Sequence, residues 1–299
     1  MEEREMFGSV LTAMVTPFND KLEIDYPAAA VLARYLAENG TEGIVVAGTT
    51  GESPNLTAEE KLKLFMTVKE AVGDTCKVIA GVGTYSTRES IELAEKVSNQ
   101  LDGIMAVVPY YSKPSQEGLY EHFKAIAAAT DRPVMLYNIP GRTVINLLPS
   151  TVAKLAEIPN IVCIKEAAGS MDQVSELKKE LPSTFAIYSG DDSLTLPMLS
   201  LGGRGIVSVA SHLIGTQMKK MVAAFKAGDM EKALKWHLLL FPIFKGMFVA
   251  TNPVPVKYLL NEAGIKAGGY RLPIVGPTQT EQAFLKELLT NIRNLPEEV

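Results

Sequence analysis

Ile161-Val162-Cys163-Ile164-Lys165 is a short apolar run that ends on a lysine. It is rich in β-branched residues and too brief for a helix, so it reads as a strand buried on both faces. Seven comparable runs flank it: Val10 to Val15, Gly43 to Ala47, Lys77 to Val82, Gly103 to Val108, Pro133 to Tyr137, Phe185 to Ser189 and Gly205 to Val209. They recur roughly every 25 to 30 residues with amphipathic stretches between them, as repeated β-α units do. Eight such units predict an α/β fold, a closed (β/α)8 TIM barrel. A doubly wound sheet would usually have fewer strands and a glycine-rich phosphate loop after the first, and the first turn here is Val15-Thr16-Pro17-Phe18.

Helix starts are marked between the runs. Thr57-Ala58-Glu59-Glu60 has the form of a capping box, Glu89 stands three residues after Ser86, and Asp25 precedes Pro27. Beyond the short polar connector Lys226-Ala227-Gly228-Asp229 the alternation stops. Helical patterns follow near Met230 to Val249, Pro255 to Ala263 and Thr280 to Asn294. The expected organisation is a barrel carrying the active site over 1–225 and a C-terminal helical region over 226–299, with Phe241-Pro242 and Phe248 as packing residues.

Composition narrows the function. With a net charge of -5 and no stretch dense in Lys and Arg, the chain lacks a footprint for nucleic acid or an anionic membrane. Lys178-Lys179 and Lys219-Lys220 read as solvated helix faces. The start Met1-Glu2-Glu3-Arg4-Glu5 is charged, and no apolar run approaches the roughly 18 residues of a membrane span, so a cytoplasmic protein is expected. Cys76 and Cys163 lie apart in apolar runs and read as reduced core thiols. His122, His212 and His237 show no paired-ligand spacing, and no zinc or other metal site is expected. Gly81-Val82-Gly83 runs on to Ser86 where a dinucleotide fingerprint needs glycine or alanine. Walker, zinc-protease and nucleophile-elbow motifs do not occur.

In a β/α barrel the chemistry sits at the carboxyl ends of the strands. Those positions hold Gly48-Thr49-Thr50-Gly51-Glu52-Ser53, Pro109-Tyr110-Tyr111, Tyr137-Asn138-Ile139-Pro140-Gly141-Arg142, Lys165-Glu166 and Gly190-Asp191-Asp192. An ammonium at the end of the buried run 161–164 is costly to desolvate. A neutral amine there can attack a ketone to form an imine that acidifies the neighbouring carbon, without a metal. A salt bridge to Glu166, or a side chain reaching out to solvent, would account for the same lysine. The threonine loop offers backbone N–H groups and hydroxyls suited to a small carboxylate; taken alone, the motif is better explained as a tight β-to-α turn with a capping Ser53. Tyr137, next to Lys165 in the barrel, could relay protons or be a core aromatic. Arg142 could hold a carboxylate bidentately or be a surface arginine.

Taken together these residues resemble the dihydrodipicolinate synthase and N-acetylneuraminate lyase family of class I aldolase-type barrels. The resemblance runs from Thr12-Ala13-Met14-Val15-Thr16-Pro17-Phe18 through the threonine loop, Pro109-Tyr110-Tyr111, Tyr137 to Thr143, Ile164-Lys165-Glu166-Ala167, Ser189-Gly190-Asp191-Asp192 and Asn252-Pro253-Val254-Pro255-Val256-Lys257 to Arg271-Leu272-Pro273. It implies a lyase without a cofactor. Pyruvate would form an imine on Lys165, and its enamine would attack L-aspartate 4-semialdehyde. It further implies Tyr137 as proton relay, linked through Thr49 to a Tyr111 that reaches in from a neighbouring subunit of a homodimer or homotetramer. Thr49 and Thr50 would bind the pyruvate carboxylate, Arg142 the semialdehyde carboxylate, and the backbone at Val207 would complete the contacts. The sialic-acid lyases resemble this chain at the threonine loop, tyrosine and lysine but lack the arginine, which favours the synthase branch. The first rival is another pyruvate-lysine enzyme, a sialic-acid lyase or a 2-keto-3-deoxy sugar-acid aldolase, which turnover assays would separate; the second is a silent keto-acid sensor.

One part of the family pattern departs. Lysine-inhibited members use two histidines and an asparagine where this chain has Ala58, Lys61 and Tyr85. Ser53, Glu89 and Tyr110 would still fit such an effector site, but Lys61 would repel a cation. Lysine regulation is expected to be weak or absent.

Overall fold

A computed structural model describes residues 7–299; the charged start Met1 to Glu5 lies outside them. Eight parallel strands close on themselves in sequence order. They are β1 (Val10–Ala13), β2 (Gly43–Val46), β3 (Lys77–Gly81), β4 (Gly103–Val107), β5 (Val134–Asn138), β6 (Ile161–Glu166), β7 (Ala186–Ser189) and β8 (Gly205–Ser208). Around and after them lie α1 (Tyr26–Glu38), α2 (Ala58–Val72), α3 (Thr87–Val97), α4 (Gln116–Ala128), α5 (Pro140–Thr143), α6 (Pro149–Leu155), α7 (Met171–Glu180), α8 (Thr195–Ser200), α9 (Ser211–Lys226), α10 (Met230–Gly246), α11 (Val254–Glu262) and α12 (Gln279–Arg293). The barrel expectation is met, including each of the eight runs and the three C-terminal helices. No helix among the described residues is long and apolar enough to cross a membrane.

Strand side chains alternate between two buried environments, as a period of two requires. Leu11, Val45, Ile79, Met105, Met135 and Val207 fill the barrel interior, while Val10, Ile44, Val78, Ile104, Leu136 and Ile206 pack outward under the helices. The helices begin where the caps say they should. Asp25 accepts from Ala28 N, and Thr57 with Glu60 closes a full capping box on α2. Ser86 caps α3 through Glu89 N. Each such cap satisfies a backbone donor that would otherwise be unpaired.

Phe241 and Phe248 do not pack inside: they are 43% and 45% exposed. They belong to an outer stripe of α10 and its end that includes Met230, Leu234 and Leu238 at helical spacing. The face of α10 turned to the protein is supplied instead by Trp236, Leu240, Ile243 and Phe244. Both cysteines are free and buried, and burial pushes the Cys76 thiol up to about 12.

Candidate active site

Lys165 and Tyr137 meet because of an irregularity in β6. Val134 pairs with Ile161, but Met135 pairs with Cys163, so one extra residue is accommodated on β6. Ile161 faces outward, Val162 and Cys163 both turn toward the interior, and Ile164 faces outward again. An unbroken alternation from Ile161 would send residue 165 under the helices. The bulge reverses that and brings Lys165 opposite Tyr137, its Nζ 4.2 Å from the ring centroid. Both side chains are nearly buried, at 5% and 3% exposure.

Glu166 falls on the opposite face and is not the partner of Lys165. Its carboxylate accepts from Asn138 Nδ2 at 3.0 and 3.2 Å, Gln173 Nε2 at 3.0 Å and Ala168 N at 2.6 Å. Burial pushes its carboxyl above the ordinary range, and these hydrogen bonds work against that shift. The cluster sits immediately behind the Tyr137–Lys165 pair, since Asn138 pairs with Glu166 in the register. It braces the two strand ends that carry the reactive groups.

A cavity of about 220 Å³ opens at the carboxyl ends of the strands, lined by Thr49, Ser53, Tyr110, Tyr137 and Arg142 together with Gly81, Gly83, Met105, Val107 and Ile139. Gly81, Gly83, Met105 and Val107 of this lining come from β3, its end and β4, and as apolar or side-chain-free residues they gave no signal of a site in the sequence. Arg142 follows β5 in the turn α5, and its guanidinium makes no hydrogen bond or ion pair with another described residue. Val144, two positions on, has φ +67°, an uncommon state for a β-branched side chain. Ala47 (φ +52°), Glu52 (φ +56°) and Tyr111 (φ +74°) are likewise left-handed, so strained backbone gathers around this mouth.

Thr50, next to the lining residue Thr49, is 2% exposed and accepts from Asn252 Nδ2 at 2.9 Å. Gly51 fits the turn closely, where a Cβ would come within 3.1 Å of the Ala47 backbone and of the Met14 carbonyl oxygen. Ser53 opens a 3-10 turn, whereas the cap of α2 is Thr57. Val207 is in the barrel interior beside Leu11. Tyr111 is 93% exposed and does not line the cavity. Tyr110 stacks edge-on with Tyr85 at 5.5 Å. Lys61, 7% exposed, has its ammonium disfavoured by burial, with the charge of Glu89 opposing that effect. No group of three or more His, Cys, Asp or Glu that could hold a metal is assembled among the described residues.

Two features escaped sequence reading. The Glu52–Lys257 ion pair, at 3.0 Å with both side chains fully buried, ties the threonine loop to α11. Asp192 accepts from Ser208 Oγ, Val209 N and Ala210 N and so holds the turn after β8; burial pushes its carboxyl up to about 6. Each joins residues far apart in the chain, and only the quoted motifs around them gave any signal.

The closed barrel, with Lys165 against the cavity-lining Tyr137, has the arrangement of a β/α-barrel lyase. The model of the Dihydrodipicolinate synthetase family matches residues 6–292, and the chain belongs to that family. It is 57% identical over 293 residues to the 4-hydroxy-tetrahydrodipicolinate synthase of Desulforamulus reducens, covering 97% of this chain and 98% of that one. The corresponding enzyme of Desulforudis audaxviator is 56% identical over 286 residues, covering 95% and 97%. Among solved structures, a dihydrodipicolinate synthase from Cyanidioschyzon merolae with lysine bound superposes with a TM-score of 0.95 at 48% identity, covering 97% of this chain and 99% of that one. One from Bacillus anthracis gives 0.94 at 47%, with the same coverage.

Proposed function

We propose that the protein condenses pyruvate with L-aspartate 4-semialdehyde through an imine on Lys165, the 4-hydroxy-tetrahydrodipicolinate synthase reaction of the diaminopimelate route to lysine. The observation that carries this reading is the buried amine of Lys165 against the Tyr137 ring at 4.2 Å, beside a cavity lined by Arg142, which has no ion-pair partner among the described residues. Lys165 adds to the pyruvate ketone and water leaves. Loss of a methyl proton gives the enamine, whose carbon attacks the aldehyde. The semialdehyde's amine then attacks the imine carbon, closing the ring and releasing the lysine amine.

Tyr137 carries protons to and from these intermediates, with Thr49 and a neighbouring subunit's Tyr111 completing the relay. Thr49 and Thr50 bind the keto-acid carboxylate, and the Val207 backbone adds a further contact. Arg142 pairs with the semialdehyde carboxylate as a charge-assisted fork, which favours this substrate over a polyhydroxylated sugar acid. The assembly is a homotetramer or homodimer: the exposure of Tyr111 and the apolar stripe on α10 support burial of both against further copies. The free buried thiols suit a cytoplasmic enzyme.

The test is intact-protein mass after borohydride reduction with pyruvate, for the wild type and Lys165→Ala, followed by turnover with the semialdehyde. One pyruvate adduct per chain that vanishes in the variant, with turnover in the wild type, is expected. An adduct without turnover would shift the reading to a sugar-acid aldolase or a silent sensor. No adduct would refute the imine.

A further inference from the structure

The threonine loop is held by a part of the chain about 200 residues away, and the chemistry of that contact has a direction. Asn252, 6% exposed, donates its amide to Thr50 Oγ1 at 2.9 Å. Five residues on, Lys257 pairs with Glu52 of the same loop at 3.0 Å, donates to the Gly269 carbonyl and lies 4.2 Å from the centroid of Phe18. The second oxygen of Glu52 accepts from Arg271 N at 3.2 Å. These contacts hold a loop whose ends, Ala47 and Glu52, are both left-handed and would relax if released.

A threonine hydroxyl has one proton and two lone pairs. The Asn252 amide occupies a lone pair of Thr50, and no acceptor among the described residues takes its proton. We propose that Asn252, held in register by the Lys257–Glu52 pair, is a positioning residue that commits the Thr50 hydroxyl to donate its proton to the carboxylate of the bound keto acid. The proposal rests on the reading of Thr50 as a carboxylate ligand. It makes a signed prediction, because an aspartate at 252 has the shape of asparagine but accepts where the amide donates. It would take the Thr50 proton for itself and turn a lone pair toward the substrate's negative charge.

The experiment is borohydride trapping by the full-length protein across a pyruvate titration, read by intact mass, with a thermal melt of each variant. Thr50→Val and Asn252→Ala should each raise the pyruvate concentration for half-maximal trapping by about tenfold, the scale of one lost hydrogen bond to a charged group. Asn252→Asp should raise it further than Asn252→Ala despite its closer fit. Wild-type trapping by Asn252→Asp, with Asn252→Ala the weaker binder, would mean that Asn252 merely fills space, and would overturn the proposal. Wild-type trapping by both Asn252 variants while Thr50→Val is impaired would overturn it and leave the reading of Thr50 intact. Wild-type trapping by Thr50→Val would remove Thr50 from the carboxylate site and the proposal with it.

Discussion

Mild acidification should destabilise this protein through two histidines that have no part in the chemistry. Val15 N donates to His212 Nε2 at 3.1 Å, so Nε2 must be unprotonated; Nδ1 carries the proton and lies 2.8 Å from the Val209 carbonyl. Protonating the ring would break the bond that ties the end of β1 to the end of β8. His122 meets Thr87 Oγ1 at 2.8 Å, and its Nε2 is buried without a partner among the described residues. Burial pulls both rings down to about 4 from an ordinary 6.5. Between those values the unfolded chain binds more protons than the folded one, so stability falls as pH falls. From pH 7 to pH 5 linkage gives a loss of about 2 kcal/mol for each ring. Asp192 acts in the opposite sense: its folded value, about 6, is above the ordinary 3.8, so its contribution is present at low pH and lost as pH rises through 6. Over the same interval it returns about 1 kcal/mol, leaving a net loss of roughly 2–3 kcal/mol. Glu166, also raised by burial, works in the same direction as Asp192. Urea unfolding at fixed protein concentration at both pH values is the assay, with His122→Gln and His212→Gln alongside. Each variant should show a shallower pH dependence than the wild type. Equal stability at pH 7 and pH 5, or an unchanged pH dependence in both variants, would refute the reasoning.

Three further outcomes are expected. Arg142→Ala should lower kcat/KM for aspartate 4-semialdehyde by about 10- to 100-fold, the worth of a charge-assisted pair, while pyruvate trapping stays at the wild-type level; equal losses for both substrates would contradict the assignment. Lysine at sub-millimolar concentration should leave initial rates within error of the uninhibited enzyme, because Lys61 places a like charge in the effector region; half-inhibition in that range would be the contrary result. Leu238→Asp puts a charge in the middle of the α10 stripe and should halve the mass seen by sedimentation, whereas an unchanged mass would show that this face is not where copies meet.

The repeat of apolar runs pointed to the barrel, because strands buried on both faces must be apolar throughout and eight β-α units can close without leaving an unpaired edge. The strand-end rule then pointed to Lys165, Tyr137, the threonine loop and Arg142, since polar residues just after a buried strand have few other places to be. Direction and partnership were another matter. Ile161-Val162-Cys163-Ile164-Lys165 reads the same with or without a bulge, and a slip of one residue decides whether the lysine meets Tyr137 or the helices. That choice is made by pairing with β5. In the same way, Asn252, Lys257 and Arg271 reach Thr50, Glu52 and Glu60 only after the chain has returned to the barrel mouth. Local periodicity records what each segment buries; which buried polar groups satisfy one another is decided where distant segments converge, because desolvated charges and hydroxyls are stable only beside their partners.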